Sequence, residues 1–482
     1  MTHQRIVVVG GGIAGLTAAY HLAEARRAGA AVEEYLFEAG PRLGGVLRTD
    51  SVEGCLVEAG PDSFLTEKRD GVELCRQLGL GPELMGSSDD QRKTWIVHRG
   101  SLVPLPEGFE FLVPTRLLAV ARTPLLSLRD KLALASEIFF SPPKPPGDET
   151  VASFVERHFS RGLVENIVEP LLTAVYGGDA DTLSVQSVLP RYVEMEKKYG
   201  SLVRGVRRAA RDRTRQVASR AGKGKERSPL FTTLRSGLRT LADALRSRLE
   251  EIRVVCGRPV NRITYAVGGA NSRPFQVWFD NNESFEADAL ILALPAHGAA
   301  RLLGELDKHL ALVLAEIPYS SSVIVAAGYD ASVGETLPPG FGLLVPGKER
   351  MRLRACTFVG QKFAHRVPPE RTLLRCFLGG MKDEAVLELS DAEVAATVRR
   401  ELRGILGISA EPLFLRVYRW PKAMAQYTVG HQERLQRIRT RMAAHPGLWL
   451  CGNAYEGIGI PDCIRSGRKA AEDCLHLLGS KQ

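Results

Sequence analysis

The two ends of this chain share one pattern, in which a short apolar run leads into a glycine-rich loop and then into a helical segment. Ile6 to Val9 is continuously apolar, and the strong helix formers of Leu16 to Ala25 follow the loop. A short apolar run bounded by glycine is typical of a buried strand. A second strand is predicted from Glu34 to Phe37, and a strand from Leu448 to Leu450 precedes helical periodicity from Ile464 to Leu478. The ends therefore predict strand–loop–helix units of an α/β sheet.

Apolar runs in the middle of the chain predict further strands. Ile252 to Val255, continued through Val260, is predicted as one strand, and Ala287 to Pro295 as another. Residues 301–414 carry three more strand signals, at Ser322–Gly328, Gly342–Val345 and Thr372–Leu378. Ser390 with Glu393 three residues later has the pattern of a capping box at the start of a helix. We expect residues 301–414 to form a mixed sheet.

The longest apolar stretch, Phe111 to Phe140, has mixed helical spacing and ends at the proline cluster of residues 142–146. Charged residues and prolines interrupt it at Pro114, Arg116, Arg122, Pro124, Arg129, Asp130 and Lys131. A bilayer-spanning helix needs roughly 20 predominantly apolar residues. This stretch is therefore not predicted to cross a membrane. It either packs into a core or lies flat on a membrane surface.

Composition places the chain among ordinary globular proteins, because 44% of its 482 residues are apolar and 25% are charged. The net charge of +9 is concentrated in one segment, residues 197–227, which holds twelve Lys or Arg against two acids. The remainder is close to neutral. The segment is a solvated helix and loop, or an anchor for anionic lipid or substrate carboxylates. Nucleic-acid binding is not expected, because it calls for basic residues interleaved with aromatic ones, and this segment has a single aromatic residue, Tyr199.

Eight cysteines are scattered without a CxxC pair, so neither a zinc site nor a disulfide framework is predicted. Reduced, buried thiols and the lack of a signal peptide before the first strand favour the cytoplasm. No Ser-His-Asp set or metal-ligand spacing occurs among the ten histidines. His431 is predicted to be structural. No catalytic side chain is assigned.

The first loop carries chemistry. Gly10, Gly12 and Gly15 have the G-x-G-x-x-G spacing directly after a predicted strand and before a predicted helix. The glycines permit a tight turn, close approach of a pyrophosphate, and close packing of the helix on the strand. The pyrophosphate would lie at the helix N-terminus. Glu38, at the end of the second strand, can accept hydrogen bonds from ribose hydroxyls and disfavours a 2′-phosphate.

The next segments depart from a plain NAD fold. Arg42 precedes a glycine pair that ends at Gly45, and the loop EAGPDSF follows at Glu58 to Phe64. These segments resemble FAD-binding oxidoreductases of the amine-oxidase type, as does the C-terminal loop Cys451 to Ala471. The resemblance implies FAD as cofactor. The residues it implies as FAD contacts are Gly10, Gly12, Ile13, Ala14, Gly15, Glu38, Ala39, Arg42, Gly45, Gly60, Pro61, Asp62, Ser63, Val260, Trp420, Gly457, Ile458, Gly459 and Ile460.

The middle of the chain resembles the oxygen-dependent protoporphyrinogen oxidases and their coproporphyrinogen-oxidising relatives. The matching blocks are VEP (Val168–Pro170), YGGD (Tyr176–Asp179), LS (Leu183–Ser184), EKKYGS (Glu196–Ser201), PGFGLLVP (Pro339–Pro346), FLGG (Phe377–Gly380), RW (Arg419–Trp420) and QYTVGH (Gln426–His431). Together with the FAD blocks they extend from Arg5 to about Ala471. Two departures occur. Met424–Ala425 replaces the family's Ile-Pro, and Thr94 stands where plant and animal members have an arginine proposed to bind a substrate propionate.

The resemblance implies oxidation of a porphyrinogen to the porphyrin in haem biosynthesis, with O2 as electron acceptor. The residues it points to around the substrate are Ala174, through its carbonyl, and Phe341, Leu344 and Phe377; Lys68 and Arg69 are alternative propionate partners. A porphyrinogen is a large apolar disc, so we expect aromatic and aliphatic side chains against its faces.

We expect a Rossmann-like FAD-binding domain (1–90, 228–300 and 415–482), a helical insertion that contacts a membrane in the family (91–227), and a substrate-binding domain (301–414).

Several alternatives stay open. Another amine-oxidase-like enzyme, such as an amine oxidase or a carotenoid desaturase, shares the FAD blocks. A non-catalytic FAD-holding scaffold of the haem pathway is a different class. The sequence does not distinguish protoporphyrinogen IX from coproporphyrinogen III as substrate. It also leaves open a homodimer and a peripheral association with the inner face of a membrane.

Overall fold

A computed structural model of the protein describes residues 3–110, 113–114, 117–139, 142–219, 229–249, 252–265 and 273–479. The chain folds into two compact units. The first comprises Met1–Ser87, Pro229–Pro318 and Gln432–Gln482, and the second comprises Ser88–Ser228 and Tyr319–His431. The predicted domains are divided differently from these units. Residues 301–318 lie in the first unit, residues 88–90 and 415–431 lie in the second, and the second unit contains both the predicted insertion and most of the predicted substrate-binding domain.

The strands, in chain order, are β1 (Gln4–Val9), β2 (Val32–Glu38), β3 (Thr49–Val52), β4 (Cys55–Glu58), β5 (Phe64–Leu65), β6 (Leu84–Gly86), β7 (Thr94–His98), β8 (Ser101–Pro104), β9 (Phe109–Glu110), β10 (Val113–Pro114), β11 (Phe231–Leu234), β12 (Arg253–Cys256), β13 (Val260–Tyr265), β14 (Phe275–Phe279), β15 (Ser284–Ala287), β16 (Ala289–Leu292), β17 (Tyr319–Asp330), β18 (Gly342–Leu344), β19 (Leu353–Phe358), β20 (Arg371–Gly379), β21 (Phe414–Ala425) and β22 (Leu448–Leu450).

The helices, in chain order, are α1 (Ile13–Arg27), α2 (Arg69–Gln77), α3 (Leu117–Arg122), α4 (Leu128–Ser136), α5 (Val151–His158), α6 (Arg161–Leu163), α7 (Glu169–Tyr176), α8 (Val185–Val188), α9 (Pro190–Tyr199), α10 (Leu202–Ser219), α11 (Arg239–Ser247), α12 (Ala296–Leu303), α13 (Lys308–Ala315), α14 (Ala331–Glu335), α15 (Val359–Lys362), α16 (Asp391–Leu406), α17 (His431–Met442) and α18 (Ile460–Gly479). A π-helical turn, Val164–Val168, joins α6 to α7.

The first unit is built on a parallel sheet of order β12-β2-β1-β16-β22. Its central strands are apolar because helices cover both faces of such a sheet. Helix α18 packs closely on α1, since a Cβ placed on Gly467 would lie 2.1 Å from the carbonyl oxygen of Ala14. The prediction of one strand through Val260 is wrong. Strand β12 ends at Cys256, Gly257 turns the chain with φ +71°, and β13 pairs with β14 in another sheet.

The second unit holds a seven-stranded sheet of order β21-β17-β20-β19-β18-β7-β8. It is mixed, as predicted, because β18 pairs parallel with β7 while its other pairs are antiparallel. The predicted capping box is present, with Ser390 and Glu393 bonded reciprocally at the start of α16. Residues 91–227 were predicted to be helical, but they open with the β7–β8 hairpin. That hairpin joins this sheet through the short apolar run at Trp95 to Val97.

The helical part of the second unit is held by a buried polar cluster. The carboxylate of Glu137 accepts hydrogen bonds from the Leu202 N–H (2.6 Å) and the Ser201 hydroxyl (2.7 Å) at the start of α10. The ring of His158 lies between Glu137 and Glu196, at 3.1 and 3.2 Å. Among the described residues, no helix is long and apolar enough to cross a membrane. Within the predicted stretch Phe111 to Phe140, residues 111–112, 115–116 and 140 lie outside the described residues.

Candidate functional site: a cofactor cradle and an apolar sheet face

The first glycine loop folds as its spacing predicts. Gly10 has φ +104°, a conformation that residues with a Cβ rarely adopt. A Cβ on Gly15 would lie 1.9 Å from the carbonyl oxygen of Gly10, so only glycine lets α1 pack this close to β1. At Gly12, the residue that caps α1, a Cβ would meet nothing within 4 Å. The backbone N–H groups at the start of α1 therefore line an open cradle; Ile13 and Ala14 follow in the first turn.

Glu38 is fixed at the edge of this cradle. Its carboxylate accepts hydrogen bonds from the Gly11 N–H (2.6 Å) and the Gly40 N–H (2.7 Å). Each carboxylate oxygen keeps a further lone pair, which can accept from a hydroxyl group. The exposed Ala39 leads into the next loop. This arrangement suits the ribose of a dinucleotide, since the acceptor atoms are held at the end of β2.

The second glycine loop lies against the first. The Gly44 N–H donates to the Gly11 carbonyl at 2.8 Å, and a Cβ on Gly45 would lie 3.2 Å from the Cα of Gly12. The guanidinium of Arg42 donates to the Gly45 carbonyl at 2.6 Å and, more weakly, to the Leu47 carbonyl. Burial and the neighbouring Arg48 lower the pKa of Arg42. Arg42 therefore holds its own loop in shape beside the cradle.

The two remaining predicted loops also belong to the first unit. In the first, a Cβ on Gly60 would lie 2.2 Å from the Val46 carbonyl oxygen, and the Asp62 carbonyl accepts from the Thr233 hydroxyl at 2.8 Å. Pro61 and Ser63 are half-buried next to them. In the second, Gly457 (φ +128°), Ile458 and Gly459 lead into α18 at Ile460. Val260 begins β13 and is buried.

Asp462 organises the start of α18. Its buried carboxylate accepts from the Gly459 N–H at 3.2 Å and pairs with Arg465 at 2.8 Å. It also pairs with Lys68, whose Nζ lies 2.5 Å away. Lys68, predicted as a propionate partner, is thus engaged by a carboxylate of its own chain. Arg69 is exposed at the start of α2.

The cradle fits FAD. It offers backbone N–H groups at a helix N-terminus for a pyrophosphate and a fixed carboxylate for a ribose. A side chain would not fit at Gly10, Gly15 or Gly60. At Gly12, where a cofactor would approach, an added Cβ would meet nothing within 4 Å. Residues of the glycine loops and of the Gly457–Ile460 turn would hold the cofactor. Among the described residues, no cluster of His, Cys, Asp and Glu could hold a metal ion.

In the second unit, two predicted substrate residues, Leu344 and Phe377, share one face of the sheet. The register aligns one residue from each of six adjacent strands, in the order Ile96, Leu344, Ala355, Phe377, Ile324 and Tyr418. Side chains at paired positions point to the same face of a sheet. Their neighbours along the strands, such as Leu343 and Cys376, lie instead in the core beneath α16. We call this aligned set the apolar row.

Trp420 lies two residues beyond Tyr418 on β21, on the same face as the apolar row. Phe341 precedes β18, where its N–H donates to the Lys93 carbonyl (2.8 Å) and its carbonyl accepts from Phe358 (2.9 Å). Helix α7 packs against β18 and β19, and its residues are not part of the core under α16. Ala174, in the last turn of α7, is therefore on the side of the sheet that carries the apolar row.

Two residues near this face were not predicted as site residues. Arg375 is 2% exposed and its guanidinium lies 5.1 Å from the ring centre of Phe377. An arginine inside the apolar run Thr372 to Leu378 was the signal that could have identified it. Gln426 is fully buried and bonds to the end of α7. His431 is buried and stacks on Tyr427, with ring centres 4.1 Å apart, which supports a structural role.

Comparison with known proteins agrees with this geometry. The family of flavin containing amine oxidoreductases matches residues 13–475. Coproporphyrinogen III oxidase of Bacillus subtilis is 32% identical over 480 residues, with 99% of each chain covered. The chloroplastic protoporphyrinogen oxidase 1 of Arabidopsis thaliana is 28% identical, across 96% of this chain and 87% of the plant protein.

A crystal structure from Exiguobacterium sp. 255-15, of a protein provisionally named protoporphyrinogen oxidase, shares the fold throughout. The TM-score is 0.86 at 30% identity, and 99% of each chain is covered. The family match covers most of the chain. The chain therefore belongs to the flavin containing amine oxidoreductase family, whose cofactor the glycine cradle of the first unit is built to hold.

Proposed function

We propose that this protein oxidises a porphyrinogen to the porphyrin, using FAD and O2. The observation that carries the proposal is the apolar row of the second unit. The exposed backbone carbonyl of Ala174 on α7 accompanies it. Full-length relatives that are named porphyrinogen oxidases support it. FAD, when bound, supplies the hydride acceptor, and three successive rounds would remove the six electrons that separate porphyrinogen from porphyrin.

The chain's own residues bind and orient the substrate. Leu344 and Phe377 offer a flat apolar surface on which one face of a tetrapyrrole can lie and exclude water. The Ala174 carbonyl accepts a hydrogen bond from a pyrrole N–H. The side chains named here have no group that takes up a proton, so we assign no catalytic side chain.

We propose coproporphyrinogen III rather than protoporphyrinogen IX as the physiological substrate. Coproporphyrinogen carries two additional propionates in place of two vinyl groups, and carboxylates are bound best by guanidinium groups. Arg375 places a buried cation next to Phe377 on the substrate face. Several bacterial relatives, from Bacillus subtilis to Staphylococcus aureus, are named coproporphyrinogen III oxidases.

Turnover of purified holoenzyme on both porphyrinogens under air tests this function. We expect porphyrin fluorescence to appear with peroxide formation, and kcat/KM to be higher for coproporphyrinogen III. A higher kcat/KM for protoporphyrinogen IX would overturn the substrate assignment. Peroxide formed from amines, with no porphyrin from either porphyrinogen, would show an amine oxidase instead.

We also propose that the second unit contacts an anionic membrane, as a cytoplasmic protein bound to the inner face. Helix α4 exposes Leu128 (74%) and Leu132 (63%), one turn apart, and Phe139 beyond its end is 76% exposed. Glu137 ties this segment to α10, which exposes Arg204, Arg208 and Arg211. Apolar side chains next to a basic helix are the combination that binds an anionic lipid surface.

Sedimentation with vesicles of phosphatidylglycerol and phosphatidylcholine tests the membrane contact. We expect binding that weakens with salt and falls roughly tenfold in Leu132→Gln, since burying a leucine contributes about 1.5–3 kcal/mol. Leu413→Gln, at another exposed leucine of the same unit, is the matched control. Binding that is absent, or unchanged by salt and by Leu132→Gln, would refute the contact. If a second copy covers the leucines instead, light scattering will show a dimer that Leu132→Gln dissociates.

A further inference from the structure

The C-terminal turn of α7 is held by hydrogen bonds to several of its carbonyls. Gly177, with φ +56°, ends the helix and its N–H donates to the Thr173 carbonyl at 2.9 Å. The Gly177 carbonyl accepts from the Met381 N–H at 2.9 Å, and the Gly178 carbonyl accepts from the Thr173 hydroxyl at 3.2 Å. The last carbonyls of a helix have no partner within the helix. The bond from Met381 therefore fixes the turn from outside the helix.

The carbonyl of Ala174, like that of the next residue Val175, differs from these. No described residue donates a hydrogen bond to it, and Ala174 is exposed in the chain. It is the carbonyl that we propose as acceptor for a pyrrole N–H. Its direction depends on how firmly the neighbouring carbonyls are held, because rotation of one peptide plane in the turn moves the next.

Gln426 supplies the remaining contact of this turn. Its side-chain Nε2 lies 2.7 Å from the Tyr176 carbonyl, 3.2 Å from the Met424 carbonyl and 3.0 Å from the Ser320 hydroxyl. Two of these partners are carbonyl oxygens, which only accept, so the amide nitrogen must face them. Gln426 is fully buried. The two carbonyl acceptors therefore fix the direction in which its amide faces.

We propose that Gln426 is a positioning residue for substrate binding. Its amide fixes the Tyr176 carbonyl and thereby holds the Ala174 carbonyl in the direction that accepts a pyrrole N–H. This inference rests on the proposed function. It gives a physical role to the QYTVGH segment, which has no side chain among the predicted substrate contacts.

Two variants of the holoenzyme test the proposal. Gln426→Leu removes both donors. Gln426→Glu keeps size and shape but turns a carboxylate towards two carbonyl oxygens, and its protonated form regains one donor. We expect KM for the porphyrinogen to rise about tenfold in both, the effect of losing one oriented hydrogen bond and leaving a buried acceptor unsatisfied. In Gln426→Glu alone, KM should recover as the pH falls and the carboxyl takes up a proton.

Two controls separate positioning from general damage. Ser320→Ala removes one acceptor but leaves the Tyr176 bond, so KM should stay close to that of the wild type. Gln436→Leu changes an exposed glutamine on α17 and should alter nothing. Unchanged KM in both Gln426 variants, or equal loss at every pH in Gln426→Glu, would overturn the proposal. Failure of the wild type itself to form porphyrin would instead overturn the proposed function.

Discussion

Gly15→Ala is expected to yield folded protein that has lost most of its FAD. The added methyl group would lie 1.9 Å from the Gly10 carbonyl oxygen, so α1 and the first turn of the cradle must move apart. Overpacking of this kind typically costs about 1–3 kcal/mol. The displaced groups are the N–H donors of the cradle, and the cost should therefore appear in cofactor affinity as a tenfold to hundredfold rise in Kd.

Flavin absorbance per mole of purified protein, followed by titration of the apoprotein with FAD, measures this effect. Gly404→Ala is the control, because Gly404 lies in α16 and a Cβ there would meet nothing within 4 Å. That change should leave the flavin content at the wild-type value. Equal FAD affinity in Gly15→Ala and the wild type would show that the cofactor does not approach the chain at this turn.

Asp307→Ala is expected to destabilise the first unit by about 2–4 kcal/mol, because it removes a helix N-cap and leaves the buried His445 without its partner. One carboxylate oxygen of Asp307 caps α13 through the His309 and Leu310 N–H groups, each at 3.0 Å. The other accepts from Arg441 (2.7 Å) and His445 (2.8 Å). The carboxylate thus joins α13, α17 and the turn before β22, and its removal leaves buried donors unsatisfied.

The pH dependence of this effect follows from the direction of the pKa shift. Burial favours the neutral acid, but hydrogen bonds from His445, Leu310 and Arg441 prevail and hold the pKa of Asp307 below its usual range. The stability it contributes is therefore fully present above the pKa of the unfolded state, about 3.9. It is lost as the pH falls below that value towards the folded pKa.

Urea unfolding at pH 7 and at pH 3 measures both parts of this prediction. The difference in unfolding free energy between the wild type and Asp307→Ala should shrink at the lower pH. Asp243→Ala, at an exposed ion pair with Arg239 on α11, should cost at most about 1 kcal/mol. A loss in Asp307→Ala no larger than that of Asp243→Ala would contradict the assigned role of Asp307.

The first unit could be predicted from sequence largely because its signals are local. The glycine spacing at Gly10 to Gly15 and the apolar run of β22 depend on neighbouring residues, and β22 has the predicted bounds Leu448–Leu450. The break at Gly257 was not predicted, although Gly257 and Pro259 are turn signals, because the strand signal before them was extended to Val260. Only the pairing of β13 with β14 shows that the chain leaves the parallel sheet there.

Contacts distant in sequence account for what could not be predicted. Lys68 and Asp462 lie far apart along the chain, and nothing near either residue indicates that they pair. The β7–β8 hairpin is short. Its place beside β18 is set by the parallel pairing of β7 with β18, two strands that lie far apart in the sequence. Gln426 could be recognised as part of a family block, but its contact with the Tyr176 carbonyl depends on the folded sheet.

Reduction of the bound flavin by porphyrinogen in the absence of oxygen tests the central claim most directly. Holoenzyme mixed anaerobically with coproporphyrinogen III should lose its oxidised flavin absorbance, and readmitted air should restore that absorbance while porphyrin accumulates. A protein that only stores FAD, or oxidises another substrate, would keep its oxidised spectrum with both porphyrinogens. That result would contradict the assignment of this chain as a porphyrinogen oxidase.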